Sequence, residues 1–190
     1  NDTTHTDTSR LKAMHALAWG CIFYNPDSAF LLAEQELSLA LASQLPYWKS
    51  KAFHVMGTSF YVKGDYDKAL EYYHKRLVET EQINDRHGLA SCYNNIGNIY
   101  RDQGKSLQAI EYYQKSLRIK MDLKDKTGIA SSYANIAVIY NDQKDTEKAL
   151  EYNEKAIELL KEVGNKYGLG NAYNNMGNVY EELTNYDKAL

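Results

Sequence analysis

Along this chain an aromatic, an aliphatic, a small residue and a second aromatic recur at positions i, i+3, i+4 and i+7. The set reads Tyr93, Ile96, Gly97, Tyr100, then Tyr133, Ile136, Ala137, Tyr140, then Tyr173, Met176, Gly177, Tyr180. A weaker copy, Phe53, Met56, Gly57 and Phe60, precedes them, so the small residue falls at 57, 97, 137 and 177. At about 100° per residue these positions form one apolar stripe of an α-helix, whereas strand alternation does not fit them. A fixed period of this size is the signature of a solenoid whose units bury their apolar faces only by stacking.

Each stripe is followed by a turn and a second apolar helix. The second unit places Lys63-Gly64-Asp65-Tyr66 at the turn and Asp67 to Gln82 in its second helix, with Ala69, Leu70, Tyr73 and Leu77 apolar. The third turns at Gly104-Lys105 and continues through Ala109, Ile110, Tyr113 and Leu117; the fourth turns at Lys144-Asp145 and continues through Ala149, Leu150 and Ile157. The first unit is degenerate. Leu11, Met14, Leu17, Ala18 and Cys21 have helical spacing, Asn25-Pro26-Asp27 makes a turn, and Ser28 to Ala42 forms the second helix. Residues 1–10 have nothing apolar to bury and read as a disordered lead-in, followed by units at about 11–46, 47–86, 87–126, 127–166 and a truncated 167–190. The fold class is therefore all-α, a right-handed α-solenoid of antiparallel helix pairs. Mid-helix glycine costs about 1 kcal/mol against alanine, so its recurrence suggests that a side chain there would hold the paired helix away. Ala69, Ala109, Ala149 and Ala189 are expected to serve the same close approach from the second helix.

These residues resemble the tetratricopeptide repeat. The third unit matches through Tyr93, Ile96, Gly97, Tyr100, Ala109, Tyr113 and Ser116; the fourth departs at Asn153, where an aromatic is usual; and Arg76 replaces the last small residue of the second, implying looser packing there. The 40-residue period is similar to the longer-helix variety in Pins-type scaffolds, kinesin light chains and bacterial peptide-sensing regulators. The opening unit, with Ala18-Trp19 and Asn25-Pro26-Asp27, resembles repeat regions fused to bacterial sensor kinases and transcription regulators.

Off the tyrosine stripe, the first helices carry Ser91, Asn94, Asn95 and Asn98 in the third unit, Ser131 and Asn135 in the fourth, and Asn171, Asn174, Asn175 and Asn178 in the fifth; His54 occupies this face in the second. Asparagine is a mediocre helix former, so filling a surface does not explain the column. A carboxamide offers two donors and an acceptor, which matches the backbone of an extended peptide whatever its sequence. In the resembled scaffold families, asparagines at these offsets line a concave groove and hold a peptide. The expected function is a protein- or peptide-binding scaffold, with stiffening of the stack by asparagine–asparagine bonds as the structural alternative. The class alternative is a sensory or regulatory input module that self-associates through the open C-terminal end.

Composition narrows the rest. With 25% charged residues and a net charge of −3 there is no basic footprint for nucleic acid. No apolar run approaches the roughly 20 residues of a membrane span, and no signal peptide is discernible; cytoplasmic and periplasmic settings stay open. Cys21 and Cys92 fall in different units, and Cys92 aligns with Ala52, Ser132 and Ala172, so it reads as a packed free thiol. The five histidines lack the spacing of a helical zinc site, and no phosphate loop or nucleophile motif occurs, so neither metal, cofactor nor catalytic residue is assigned. Glu71, Glu111 and Glu151 precede Lys75, Lys115 and Lys155 at i+4, the pattern of a solvated outer face. The tyrosines (17 in all) are assigned mostly to the repeat core, with Tyr61 and Tyr167 free to reach the groove.

Overall fold

A computed structural model describes residues 2–189, with side chains of 1–5, 182 and 184–190 (Glu182 and Ala189 among them) outside the described set. The described elements are all helices: α1 (Asp2–Cys21), α2 (Pro26–Ala42), α3 (Pro46–Val62), α4 (Tyr66–Gln82), α5 (Arg86–Asp102), α6 (Ser106–Asp122), α7 (Lys126–Asp142), α8 (Thr146–Glu162) and α9 (Lys166–Ala189). No strand occurs among the described residues, and the chain is an all-α solenoid of helix pairs. Two 17-residue helices with their turns make up the 40-residue period.

The turns are local chemistry. In the seven turns after α2 to α8 the middle residue has a positive φ, at Gln44, Gly64, Asn84, Gly104, Lys124, Lys144 and Gly164, which ends the preceding helix in a left-handed cap. At one turn the Asp85 N–H donates to the Thr80 carbonyl (2.8 Å) and the Asn84 N–H to the Glu81 carbonyl (3.1 Å). The same Asp85 then opens α5, accepting the Gly88 N–H at 2.8 Å. Asp125 and Asn165 accept from Gly128 and Gly168 in the same way, at 2.9 Å each. A β-carbon at Gly88 would lie 2.7 Å from Thr80 Cγ2. The glycines that open α5, α7 and α9 thus make room for the capping side chain and the preceding helix.

The chain divides into two compact units, residues 1–99 and 100–190. In the first, Ala18, Ile22, Ala29, Ala33, Phe53, Val55 and Met56 form the core. In the second, Ala109, Tyr113, Ile136 and Ile139 form one cluster, and Ala130, Ala156, Ile157, Leu160 and Ala172 another. Ala69, Ala109 and Ala149 are fully buried, as their spacing implied. A β-carbon on Gly57 would sit 2.8 Å from Cδ1 and Cε1 of Tyr73, whereas one on Gly177 would meet nothing within 4 Å. The steric account of mid-helix glycine therefore holds at Gly57 and does not extend to Gly177. In the fourth unit, where Ala137 replaces glycine, the position equivalent to Tyr73 is the smaller Asn153.

The structure corrects the sequence reading in four places. Residues 2–10 are helical, not a disordered lead-in: Leu11 is fully buried, Ser43 Oγ donates to Asp7 Oδ2 at 2.8 Å, and a helix anchored at Leu11 extends without a new nucleation cost. Helix α9 runs through Thr184-Asn185, where the fifth unit was expected to turn.

The tyrosine stripe is the third correction. Tyr73 and Tyr113 are core, but Tyr93, Tyr100, Tyr133 and Tyr140 are half-buried and Tyr173 and Tyr180 about half exposed. The outer rings pair instead: Phe60 stacks on Tyr72 (5.6 Å), Tyr100 on Tyr112 (5.3 Å) and Tyr140 on Tyr152 (5.5 Å). Lys75, Lys115 and Lys155 cap the second ring of each pair while bonding Glu71, Glu111 and Glu151. Fourth, Arg76 does not loosen its unit, being only 3% exposed.

Candidate functional site

Each unit contains a cleft that gathers residues of the asparagine face. In unit 1 a cavity of about 190 Å³ is lined by Trp19 and Phe23 from α1, His54, Thr58 and Tyr61 from α3, Tyr73 from α4, and Asn95 and Asn98 from α5. The positions follow from the 40-residue offset, which sets His54 on one first helix beside Asn95 on the next. Asn95 Nδ2 and His54 Nε2 are 3.2 Å apart. Burial, reinforced by the charges of Arg76, Lys51 and His15, holds His54 well below the ordinary imidazole pKa, so the ring is neutral. With Nε2 accepting from the Asn95 amide, the proton resides on Nδ1. Trp19 packs on the His54 ring, with centroids 4.9 Å apart.

The floor of this cleft is rigid. Thr58 Oγ1 donates to the His54 carbonyl (2.9 Å), leaving its lone pair to accept from the Tyr73 hydroxyl at 3.1 Å. Burial pushes the Tyr73 phenol up to about 12.

In unit 2 a cavity of about 270 Å³ lies between α7 and α9. Ser131 and Asn135 face it from α7, Asn171 and Asn175 from α9, with Leu160, Asn165 and Tyr167 completing the wall. Here Ala134 stands where His54 stands in unit 1. Asn175, the counterpart of Asn95, consequently makes no side-chain hydrogen bond to any described residue, and Asn171 makes none either. Ser131 returns its hydroxyl to the Thr127 carbonyl, at 3.1 Å.

Of the residues assigned from sequence, His54, Asn95 and Asn98 meet in one cleft, and Ser131, Asn135, Asn171 and Asn175 in the other. Asn94 is half-buried and lines neither, and Asn174 and Asn178 are exposed outside the unit 2 cleft. Ser91 accepts from Arg76 Nη1 at 3.3 Å. Trp19 and Phe23 were missed as cleft residues because they belong to the degenerate first unit, where the repeat pattern gives no register. Tyr61 and Tyr167, already set apart from the core, do line the clefts.

Away from the clefts, Cys92 is buried and free, and burial pushes its thiol up to about 11. Lys120 is 9% exposed, bonds Ser132 Oγ at 2.9 Å, and has its ammonium pushed down to about 8 by burial. Among the described residues no group of three or more metal-ligating side chains converges, and no helix is long and apolar enough to cross a membrane.

The tetratricopeptide repeat family model matches residues 49–122 and 128–190. Similar solved structures include a STAND signal-transduction ATPase with a tetratricopeptide repeat sensor from Pyrococcus horikoshii (22% identity, TM-score 0.76, covering 90% of this chain and 27% of that one). A Rap protein complexed with competence and sporulation factor is also similar (15% identity, TM-score 0.80, covering 93% and 53%). So is a putative kinesin light chain from Podosopora anserina (16% identity, TM-score 0.70, covering 95% and 90%). At these identities the likeness is one of fold. Comparison with curated protein sequences gives no match.

Proposed function

The chain belongs to the tetratricopeptide repeat family, and on that premise we propose that it is a protein-binding scaffold whose asparagine clefts hold an extended peptide segment by its backbone. The repeat is a scaffold fold, and the reading is binding rather than catalysis. The observation that carries it is the unit 2 cleft, where Asn135, Asn171 and Asn175 converge and the last two amides are unpaired with any described residue. Carboxamides that served only to stiffen the stack would be bonded to neighbours, as Asn95 is to His54. The Rap relative, solved with competence and sporulation factor, shows the same fold with a bound factor and supports the reading.

The test is selection from a random-peptide display library on the intact chain, followed by affinity measurement on Asn135→Ala/Asn175→Ala. Loss of one or two neutral hydrogen bonds corresponds to about 1–2 kcal/mol, or roughly fivefold to thirtyfold weaker binding at unchanged melting temperature. Equal affinity for the selected peptides in the stable double variant sinks the asparagine mechanism.

A second reading is self-association through α9. Tyr173 and Tyr180 are 49% and 51% exposed there, whereas their counterparts in α5 and α7 are half-buried. Sedimentation of the wild type against Tyr173→Ser/Tyr180→Ser decides it: a dimer lost in the variant supports assembly, and a wild-type monomer at all concentrations rejects it.

A further inference from the structure

The two clefts share a donor and differ in what faces it. Asn95 in unit 1 corresponds to Asn175 in unit 2, two periods on, and both line their cavities. Across one repeat from Asn95 stands His54, and the Asn95 amide is committed to its Nε2 at 3.2 Å. Across one repeat from Asn175 stands Ala134, which has no acceptor to offer.

The residues that hold His54 in place form a connected set. Its ring packs on Trp19 (centroids 4.9 Å apart) and lies beside Tyr73 (6.5 Å). Thr58 Oγ1 donates to the His54 carbonyl and accepts from the Tyr73 hydroxyl, so one hydroxyl ties the histidine backbone to the neighbouring ring. Trp19 is backed in turn by His15, stacked on it at 6.4 Å, whose Nδ1 lies 3.2 Å from both carboxylate oxygens of the fully buried Glu36. Two periods on, His54, Thr58 and Tyr73 become Ala134, Val138 and Asn153, while the asparagine is kept. Acceptor, back-bond and packing ring are thus lost as a set where the donor is retained.

We propose that His54 is an internal latch on the unit 1 cleft: by accepting from Asn95 it stands in for a ligand carbonyl and keeps this cleft closed to a peptide backbone, which is left to the unit 2 cleft. A carbonyl that takes Asn95 must break the latch and leave Nε2 of a neutral imidazole without a donor. An acceptor left desolvated and unpaired costs more than an exchanged neutral bond returns. This rests on the peptide-binding reading and adds a regulation to it, since one of the two clefts is held shut by a residue of the chain itself.

The experiment selects peptides from a random-sequence display library in parallel on the full wild-type chain and on full-length His54→Ala, which copies the residue at 134. Peptides from both selections are then measured on the wild type, His54→Ala, Asn95→Ala and the double variant. The expected result is a set of peptides that binds His54→Ala about fivefold to a hundredfold tighter than the wild type, as for relief of one unpaired buried acceptor. That gain must fall below about twofold when Asn95→Ala is added, because the latch acts through the Asn95 amide. Asn95→Ala alone, whose amide was already engaged, must change affinity by less than about twofold. A gain that survives the loss of Asn95 reports the void left by the ring and overturns the proposal. So does the absence of any peptide that prefers His54→Ala, and wild-type binders held alike by all four proteins then leave peptide binding intact. No binder from either selection overturns both. Should His54→Ala lose its circular dichroism, His54→Phe decides: it keeps a ring against Trp19 without an acceptor, and must show the same Asn95-dependent gain, its absence overturning the latch.

Discussion

Gly57→Ala tests the packing logic of the repeat at single-atom resolution. In an unpacked helix the substitution stabilises by about 1 kcal/mol, since alanine is the better helix former. At Gly57 the added β-carbon would lie 2.8 Å from Cδ1 and Cε1 of Tyr73 and 3.3 Å from Cγ. Carbon–carbon contacts settle near 3.5–4.0 Å, so ring and helix must separate by roughly 0.7–1 Å. The ring is poorly placed to yield, being 2% exposed and tied to Thr58 through its hydroxyl at 3.1 Å. Overpacking of this kind costs about 1–3 kcal/mol and outweighs the propensity gain. The net expectation is a destabilisation of about 1 kcal/mol, or a melting temperature about 2–4 °C lower. Gly177→Ala, at the equivalent position in α9 but facing open space, should instead raise stability by up to about 1 kcal/mol. Thermal melts and urea titrations followed by circular dichroism read both. If the two variants shift stability in the same direction, the close approach of Tyr73 is not why glycine stands at position 57.

Lys120→Met should stabilise the protein at pH 7 by about 1–3 kcal/mol, because it removes a buried ammonium whose one bond is to Ser132. The folded pKa of about 8 lies below the roughly 10.4 of an unfolded lysine, so between these values the unfolded chain binds more protons and wild-type stability rises with pH. Urea titrations at pH 7 to 9 should show this rise in the wild type and not in the variant; readings stop there because Cys92, pushed up to about 11, and at still higher pH Tyr73 and Tyr113, pushed up to about 12, make stability fall as pH rises further. Asp85→Ala removes the acceptor for the Gly88 N–H at 2.8 Å and should cost about 1 kcal/mol, with faster amide exchange in the first turn of α5 as the local readout. No change in either quantity would place the start of α5 under packing control instead.

The helix pairs were legible because the apolar stripe, the turn glycines and the charged outer pairs each repeat every 40 residues, and agreement between independent local signals is hard to produce by chance. The clefts were half legible. Asn95, Asn135, Asn171 and Asn175 could be placed on one face by helical geometry, yet nothing in their spacing tells that Asn95 is bonded to His54 while Asn175 is not bonded to a described residue. That difference hangs on Ala134 replacing His54, a contact across a full repeat. The tyrosines misled because one residue type serves two environments. Tyr113 is buried with Ala109, Ile136 and Ile139, whereas Tyr112 beside it stacks on Tyr100 under a lysine.

By itself the sequence determined the helices, their pairing and their period, since those depend on contacts within about one turn of the chain and on a pattern that repeats in register. Only the tertiary structure decided the roles of the exceptions. Arg76 in place of a small residue becomes a buried cation bonded to Ser91, Gly57 is required by a ring where Gly177 is not, and Lys120 is buried with a depressed pKa. Each of these depends on what a neighbouring helix presents at that point. A free energy set by distance, burial and local dielectric has no expression in residue order until the helices are brought together.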